Sequence, residues 1–390
     1  MVGPESRAFK VPERWHDPAL IEALRARLLD WQRSCGRHEL PWQQPATPYR
    51  VWISEIMLQQ TRVESVIPYF ERFIQRFPDP HALAAAPLEA VLEHWAGLGY
   101  YARARNMHRA ADEIVARWGG AVPSELADLQ ALPGIGPSTA GAIRSLGHGL
   151  PAPILDGNVK RILARLDDIA GWPGQSAVAR QLWQLSACLV PPDGDCARFN
   201  QGLMDLGARL CLRRAPHCNR CPLAFACLAQ QRGRTADVPA PRPPRVRPLR
   251  RLRLLLIERD DAVLLEQRPA AGIWGGLWSL PECALSDDPC QWVFQRFGWP
   301  VERGRELAVR RHALTHFELE LHPLFLHSLE RVDEPLRIAE PGAALPLRWY
   351  RPSNESSPGL PAPIARLLEE CQEGRVAAFN ISDYPSDLEQ

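Results

Sequence analysis

Apolar residues recur at helical spacing from about residue 18 to residue 210. The runs IEALRARLLDW, YRVWISEIMLQQ, PYFERFIQRF, PLEAVLEHW, ARNMHRAADEIVARW, SELADLQAL, STAGAIRSL, NVKRILARL, ARQLWQLSACLV and FNQGLMDLGARL each predict a helix with one face turned to a core. Pro78, Pro80, Gly97, Gly99, Pro123, Pro133, Pro151 and Pro153 fall between them, where a helix must break. After residue 250 the period changes. LRLLLIERDDAVLLEQRP reads as two strands about a polar turn, and LAVRRHALTHFELELHPLFLHSL and LRWY are strand-like as well. Helical stretches at DPCQWVFQRFG and PAPIARLLEECQ complete a smaller α/β or α+β domain. Between the two regions, residues 232–250 hold five prolines and predict an extended, stiff linker. The expected organisation is therefore multi-domain: an all-α domain over 1–231, a linker over 232–250, a sheet domain over 251–372 and a loose tail over 373–390.

With 390 residues and 46% apolar content the chain can fill two or three packed cores. No run of apolar residues is long enough to span a bilayer, and the polar start MVGPESRAFKVPERWH does not resemble a signal peptide, so a cytoplasmic protein is expected. The formal charge of +1 hides an asymmetry: residues 254–390 carry 13 basic against 22 acidic side chains, and the excess of base lies before them. Only the helical half and its Arg-rich joint suit a polyanion on charge alone.

Four of the ten cysteines fall close together as Cys211-x6-Cys218-x2-Cys221-x5-Cys227. Four thiolates on a loop-rich segment can surround one centre, and this spacing is open to an iron–sulfur cluster, to zinc or to cysteines that merely fill space. Cys35, Cys188, Cys196, Cys283, Cys290 and Cys371 show no such grouping. Upstream, SELADLQALPGIGPSTAGAIRSLG parses as two helices about a tight turn, over about 124–148, the first capped by Ser124. Gly134 and Gly136 supply positive φ or close approach and Pro137 starts the second helix. Exposed N–H groups at such a turn can hold a phosphate, although a plain helical connection has the same outline.

Glu55 stands among apolar neighbours in VWISEIML. Burial there would raise its pKa toward the range a general acid needs, whereas a place on a solvated helix edge would leave it ordinary. Asp156, in PILDGNVKRIL, is either a helix cap or a fixed anion facing a sugar. An acid paired with an anion is the equipment of glycosidic cleavage. Gln60, Tyr100 and Tyr101 sit in turns at helix ends and have the size to enter a base stack, the alternative being core packing.

These segments resemble the endonuclease III superfamily of base-excision DNA glycosylases, on the strength of LPGIG, the downstream Asp156 and the four-cysteine spacing. Within it, LPW (40–42), PYRVWISEIMLQQTRV (48–63), WAGLGYYARARN (95–106), STAGAI (138–143) and ILDGNVKR (154–161) are similar to the MutY family of adenine glycosylases. The resemblance runs from about residue 20 to 370. It implies a helix-hairpin-helix glycosylase domain and release of adenine mispaired with 8-oxoguanine or guanine, after the nucleotide is flipped out of double-stranded DNA. It implies that Glu55 protonates N7, that Asp156 stabilises the C1′ cation and that Asn158 orders sugar and Asp156. Gln201 would take a pocket position, Gln60 and Tyr100 the wedge, and Gly134 and Gly136 the phosphate turn. Cys211, Cys218, Cys221 and Cys227 would carry a [4Fe-4S] cluster. Ser138 stands where strand-cutting relatives carry a Schiff-base lysine, which implies a monofunctional enzyme acting through water. Lys160, the only lysine besides Lys10, could trap an opened sugar only occasionally.

The last domain resembles the Nudix-like (MutT-like) 8-oxoguanine-recognising domain of the same family through RPAAGIWGGLWSLPE (268–282). DDPCQWVFQRFG lacks the Glu-rich array that holds magnesium in Nudix hydrolases, so pyrophosphatase activity is not expected. The lesion-reading loop becomes Leu314-Thr315-His316, with a hydroxyl kept at Thr315 and an aromatic ring lost at Leu314. A nucleoid-associated bacterial monomer is the implied state.

Overall fold

A computed structural model describes residues 12–192, 194–244, 246–269, 272–314, 316–329, 345–351 and 358–382, with side chains up to residue 372. Fourteen α-helices and eight strands lie in these stretches. The helices are α1 (Pro18–Cys35), α2 (Pro48–Leu58), α3 (Val63–Arg76), α4 (Pro80–Ala84), α5 (Leu88–Trp95), α6 (Ala102–Trp118), α7 (Leu126–Ala131), α8 (Pro137–Ala142), α9 (Gly157–Leu166), α10 (Ser176–Leu189), α11 (Cys196–Arg209), α12 (Leu228–Gln231), α13 (Pro289–Phe297) and α14 (Ala362–Ser382). The strands are β1 (Leu249–Arg259), β2 (Ala262–Gln267), β3 (Trp278–Ser279), β4 (Glu282–Cys283), β5 (Val301–Glu306), β6 (Arg310–Ala313), β7 (Glu318–Ser328) and β8 (Leu347–Tyr350).

One local device starts four of the helices. Asp17, Thr47, Asp79 and Asp288 each precede a proline, and each side chain accepts a bond from a first-turn N–H, on Ala19, Arg50, Ala82 and Gln291 respectively. The oxygen satisfies an orphan donor while proline at the first position has none to satisfy. The first helix of the central hairpin begins differently from its expected cap. It starts at Leu126 after Glu125 with no side-chain cap, and Ser124 instead offers its carbonyl to Arg144 Nη1 at 2.6 Å.

The chain divides into two compact units, one from 1–86 and 105–244 and the other from 87–104 and 245–390. In the helical unit, α1, α9, α10 and α11 share a core that includes Leu24, Leu28, Ile162, Leu163, Leu182, Phe199 and Leu206. Arg165 is 3% exposed and donates to the carbonyl of Val238 at 2.8 Å, so the first residues of the Pro-rich stretch belong to this unit. α2 packs against α3, α8 and a π turn (Ile143–Gly147) that continues α8.

In the second unit the sheet order is β3-β2-β1-β7-β5, with β4 added on β1, β6 on β7 and β8 on β2. β1 and β7 run parallel from Leu249↔Glu318 to Glu258↔His327, and the other pairs are antiparallel. The hairpin turn is Asp260-Asp261, both at positive φ, with Arg259 paired to Ala262. A two-residue loop of this hand matches the twist of the strands it joins. α13 covers Leu255, Ile257, Leu324 and Leu326.

Three features depart from the sequence reading. Residues 87–104, α5 among them, cluster with the sheet unit although their helical period groups them with the first domain. Tyr101 shows why: its hydroxyl accepts from Gly97 N and donates to the carbonyl of Leu360. β5 lies in VERGRE, whose polar composition conceals a strand. α14 continues to Ser382, into the stretch expected as a tail.

Gly141 of α8 is pressed on the segment before α9, and a Cβ there would stand 2.1 Å from the Pro153 carbonyl oxygen. Gly141→Ala is expected to cost about 2 kcal/mol, since backbone cannot yield as a side-chain tip can; urea unfolding with an unchanged midpoint would refute this packing.

Candidate active site

α2 is buried on nearly every side, by Val51, Trp52, Ile53, Ser54, Ile56 and Met57. Glu55 is the one partly exposed position within this run, and it opens on a cavity of about 270 Å³ lined also by Leu40, Trp42, Gln43, Leu58, Leu146, Gln201 and Met204. That size is at the small end of ligand pockets, suited to one flat heterocycle. Burial pushes the Glu55 carboxyl up to about 8, with the negative charge of Asp156 adding to the effect.

Asp156 does cap a helix, its Oδ1 accepting from Val159 N at 2.7 Å at the start of α9. It is nevertheless close enough for Glu55 to sense its charge, although it is not among the residues lining the cavity. Burial raises its pKa. The N–H groups of Val159 and Asn158 and the charges of Arg161 and Lys160 oppose that rise. The capping and electrostatic readings thus describe the same carboxylate.

The other expected residues fall in several places. Asn158 Oδ1 accepts from Arg161 Nη2 at 2.9 Å, and its Cβ occupies the space left by Gly207. Arg161 continues to the carbonyls of Gly207 and Cys211. Gln201 does line the cavity, where its amide donates to Asp205 Oδ1 at 2.9 Å. Asp205 is fully buried and also binds the Nε and backbone N of Arg37. Arg37 and Asp205 were not singled out in the sequence, and their pairing across 168 residues left no local signal.

Gln60 is exposed at φ 59°, just past α2. Tyr100 is 46% exposed at φ 50° with the Arg103 guanidinium 5.3 Å from its ring centre, whereas Tyr101 is buried and belongs to the core. In the hairpin, Gly134 has φ 81° and faces Asn106. Gly136 does not need a positive φ, being at −88°, but a Cβ there meets nothing, which leaves its backbone approachable. The Ser138 hydroxyl turns toward its own chain and accepts from Leu155 N at 3.0 Å. His316 is exposed, Leu314 N donates to the Phe317 carbonyl, and Thr315 lies outside the described residues.

Cys211, Cys218, Cys221 and Cys227 border one small cavity of about 30 Å³. Burial pushes the Cys221 thiol up to about 12, and it also raises Cys218 and Cys227, each with the neighbouring sulfurs adding to the rise. Thiols so arranged become thiolates only when a cationic centre compensates them. Arg165 Nη1 donates to Cys211 Sγ at 3.3 Å, one such compensation from the protein. Among the described residues no three His, Cys, Asp or Glu side chains are close enough to grip a single ion. No helix among them is long and apolar enough to cross a membrane.

The raised pKa of Glu55 couples stability to pH. Between the ordinary carboxylate range and about pH 8 the folded chain binds a proton that the unfolded chain has lost, so stability falls as pH rises across that window. Glu55→Gln is expected to remove this loss, becoming more stable than the unaltered protein by on the order of 2 kcal/mol at pH ~8.5 but not at pH ~5. Urea unfolding at both values checks it, and an equal difference at the two would contradict a buried acid.

The profile of the HhH-GPD superfamily base excision DNA repair proteins matches residues 53–188, and that of the NUDIX domain matches residues 253–370. The adenine DNA glycosylase of Buchnera aphidicola subsp. Baizongia pistaciae is 34% identical over 347 residues, covering 89% of this chain and 96% of its own. That of Mus musculus is 32% identical over 420 residues, covering 92% of this chain and 80% of its own. Among solved structures, a thermostable thymine-DNA glycosylase superposes with a TM-score of 0.49 and 26% identity over 55% of this chain and 98% of its own. With relatives this similar along nearly all of its length, the chain belongs to the adenine DNA glycosylases, base-excision repair enzymes that hydrolyse N-glycosyl bonds in DNA.

Proposed function

We propose that this glycosylase removes adenine mispaired with 8-oxoguanine or guanine, and that Glu55 and Asp156 do the chemistry. The observation that carries this reading is a carboxyl held protonated to about pH 8 at a base-sized cavity, within electrostatic reach of a second carboxylate. The mispaired adenine swings out of the duplex into the cavity beside Glu55 and Gln201. Glu55 gives its proton to N7, so the electron pair of the C1′–N9 bond leaves with a neutral base. Positive charge then grows on C1′ and O4′, and the Asp156 carboxylate faces it, directly or as a transient covalent partner. Water adds to C1′ and releases a proton, leaving an abasic site. Asn158 lies two residues from that anion and is held by Arg161. With serine at 138 no amine stands ready to form a Schiff base, so the strand is left uncut.

Around this centre, the amides at Gly134 and Gly136 grip a phosphate. Gln60 and Tyr100 fill the space of the departed nucleotide, and Thr315 with His316 read the damaged partner base. Cys211, Cys218, Cys221 and Cys227 would hold a [4Fe-4S] cluster, which fits four thiols that border one cavity. Bound there, it supplies a cationic cross-link for the loop over 211–227, and no step of base release passes through it. The enzyme acts as a monomer in the cytoplasm.

Single-turnover assays on duplexes with A opposite 8-oxoguanine, A opposite G, and thymine glycol test the substrate. Adenine release from the first two is expected, and strand cutting at thymine glycol alone would overturn the reading. Glu55→Gln should slow release by about 10²–10⁴-fold. The unaltered rate should decline as pH passes about 8, where Glu55 ionises; a rate flat through that range would exclude it as the acid. Iron and acid-labile sulfide should each measure about four per chain, and Cys221→Ser should lose both; zinc in their place would refute the cluster.

A further inference from the structure

The segment Pro151–Leu155, immediately before Asp156, belongs to no helix or strand, yet it is buried or half-buried throughout. Its polar groups are bonded by side chains that arrive from three helices and the π turn. The Pro151 carbonyl accepts from Arg144 Nε at 3.3 Å, and the Ala152 carbonyl from Asn200 Nδ2 at 2.9 Å. The Ile154 carbonyl accepts from Ser186 Oγ at 2.7 Å, and Leu155 N donates to Ser138 Oγ at 3.0 Å. Asn200 also donates to Ser145 Oγ, which in turn donates to the carbonyl of Gly141. Ser145, Asn200 and Ser186 are 0%, 1% and 3% exposed. Pro151 and Pro153 have no N–H, so the segment has few backbone bonds of its own to make.

The same helix that holds this segment also touches the helix bearing Glu55. Gly147, at the end of the π turn, leaves room for Pro48 at the start of α2, where a Cβ would come 2.7 Å from the Pro48 Cα. At the other end of α2, Gln59 Nε2 donates to Thr139 Oγ1 of α8 at 3.4 Å. Gly141 lies between, against the Pro153 carbonyl. α8 and its π turn therefore stand as a spacer, with the acid's helix on one side and the anion's approach strand on the other.

We infer that Ser138, Asn200 and Ser186 are positioning residues: their hydrogen bonds to the 152–155 backbone set where the Asp156 carboxylate stands relative to Glu55. This rests on the reading of Asp156 as the anion that faces C1′. A buried backbone needs partners for stability alone. What goes beyond that need is that the bonds converge on the residues just before Asp156, while α9 fixes the residues after it through the cap to Val159. Removing a bond on one side lets the carboxylate shift about the other. Shifts of a fraction of an ångström at a reacting centre cost far more in rate than in binding.

The test compares Ser138→Ala, Ser186→Ala and Ser186→Thr with the unaltered full-length protein at a temperature where circular dichroism shows all of them folded. Two quantities are read: the single-turnover rate of adenine release, and the Kd for a duplex carrying 2′-fluoro-2′-deoxyadenosine opposite 8-oxoguanine, whose fluorine opposes charge at C1′ and prevents cleavage. The expected result is a rate about ten- to a hundredfold lower for each alanine variant, with the Kd within about twofold and the rate largely restored by threonine. Rates unchanged in folded variants would overturn the inference. So would a lower rate accompanied by a Kd raised to a similar extent, which is what a purely structural role predicts. Asp156→Asn is measured in parallel: if it keeps the full rate, the assignment of Asp156 itself is wrong, whatever the serine variants do.

Discussion

A carboxyl group surrounded by apolar helix faces cannot ionise cheaply, and an anion placed nearby makes ionisation harder still. That constraint acts on Glu55, whose helix is packed on almost all sides and whose charge would face that of Asp156. Burial raises both carboxyls and the charge of Asp156 raises Glu55 further, while at Asp156 a helix N-terminus and neighbouring cations oppose the rise. The proposed division of labour between acid and anion rests on these surroundings rather than on any difference in their chemistry.

Keeping two such groups apart by a set distance is a task for rigid elements. α2 is held by packing on nearly every side except where Glu55 opens on the cavity. The approach to Asp156 has no regular structure to stiffen it, and side-chain hydrogen bonds from α8, α10, α11 and the π turn take that role. Buried hydroxyls and amides of this kind are costly when left unpaired, which makes the arrangement a narrow well rather than a soft one. α8 serves twice, since its N-terminal turn also presents the approachable backbone at Gly136.

The thiol cavity obeys the same physics. Three of its sulfurs are raised toward neutrality by burial and by each other, so the site in isolation resists the charge its ligands need. Arg165, buried and bonded to Cys211, Leu212, Arg213 and Val238, braces the loop from below. Folding of the helical unit thus places a fixed cation beside a set of thiols that want one.

Much of this was legible in the chain itself because its signals are local. Helical period, the polar turn between the first two strands and the cysteine spacing depend only on neighbours in sequence, and the helices and the turn reappear in the structure. Glu55 stood out as a candidate for the same reason, an ionisable residue inside an apolar run, and the structure buries it. What the sequence could not state was which core a helix joins, as with residues 87–104, whose period is the same in either unit. Nor could it show that Asp156 lies within reach of Glu55, that Ser138 faces Leu155, or that Asn200 and Ser186 grip the strand between them. Those pairings join residues distant in the chain, and only the packing of helices decides which of many serines and asparagines meet a given backbone.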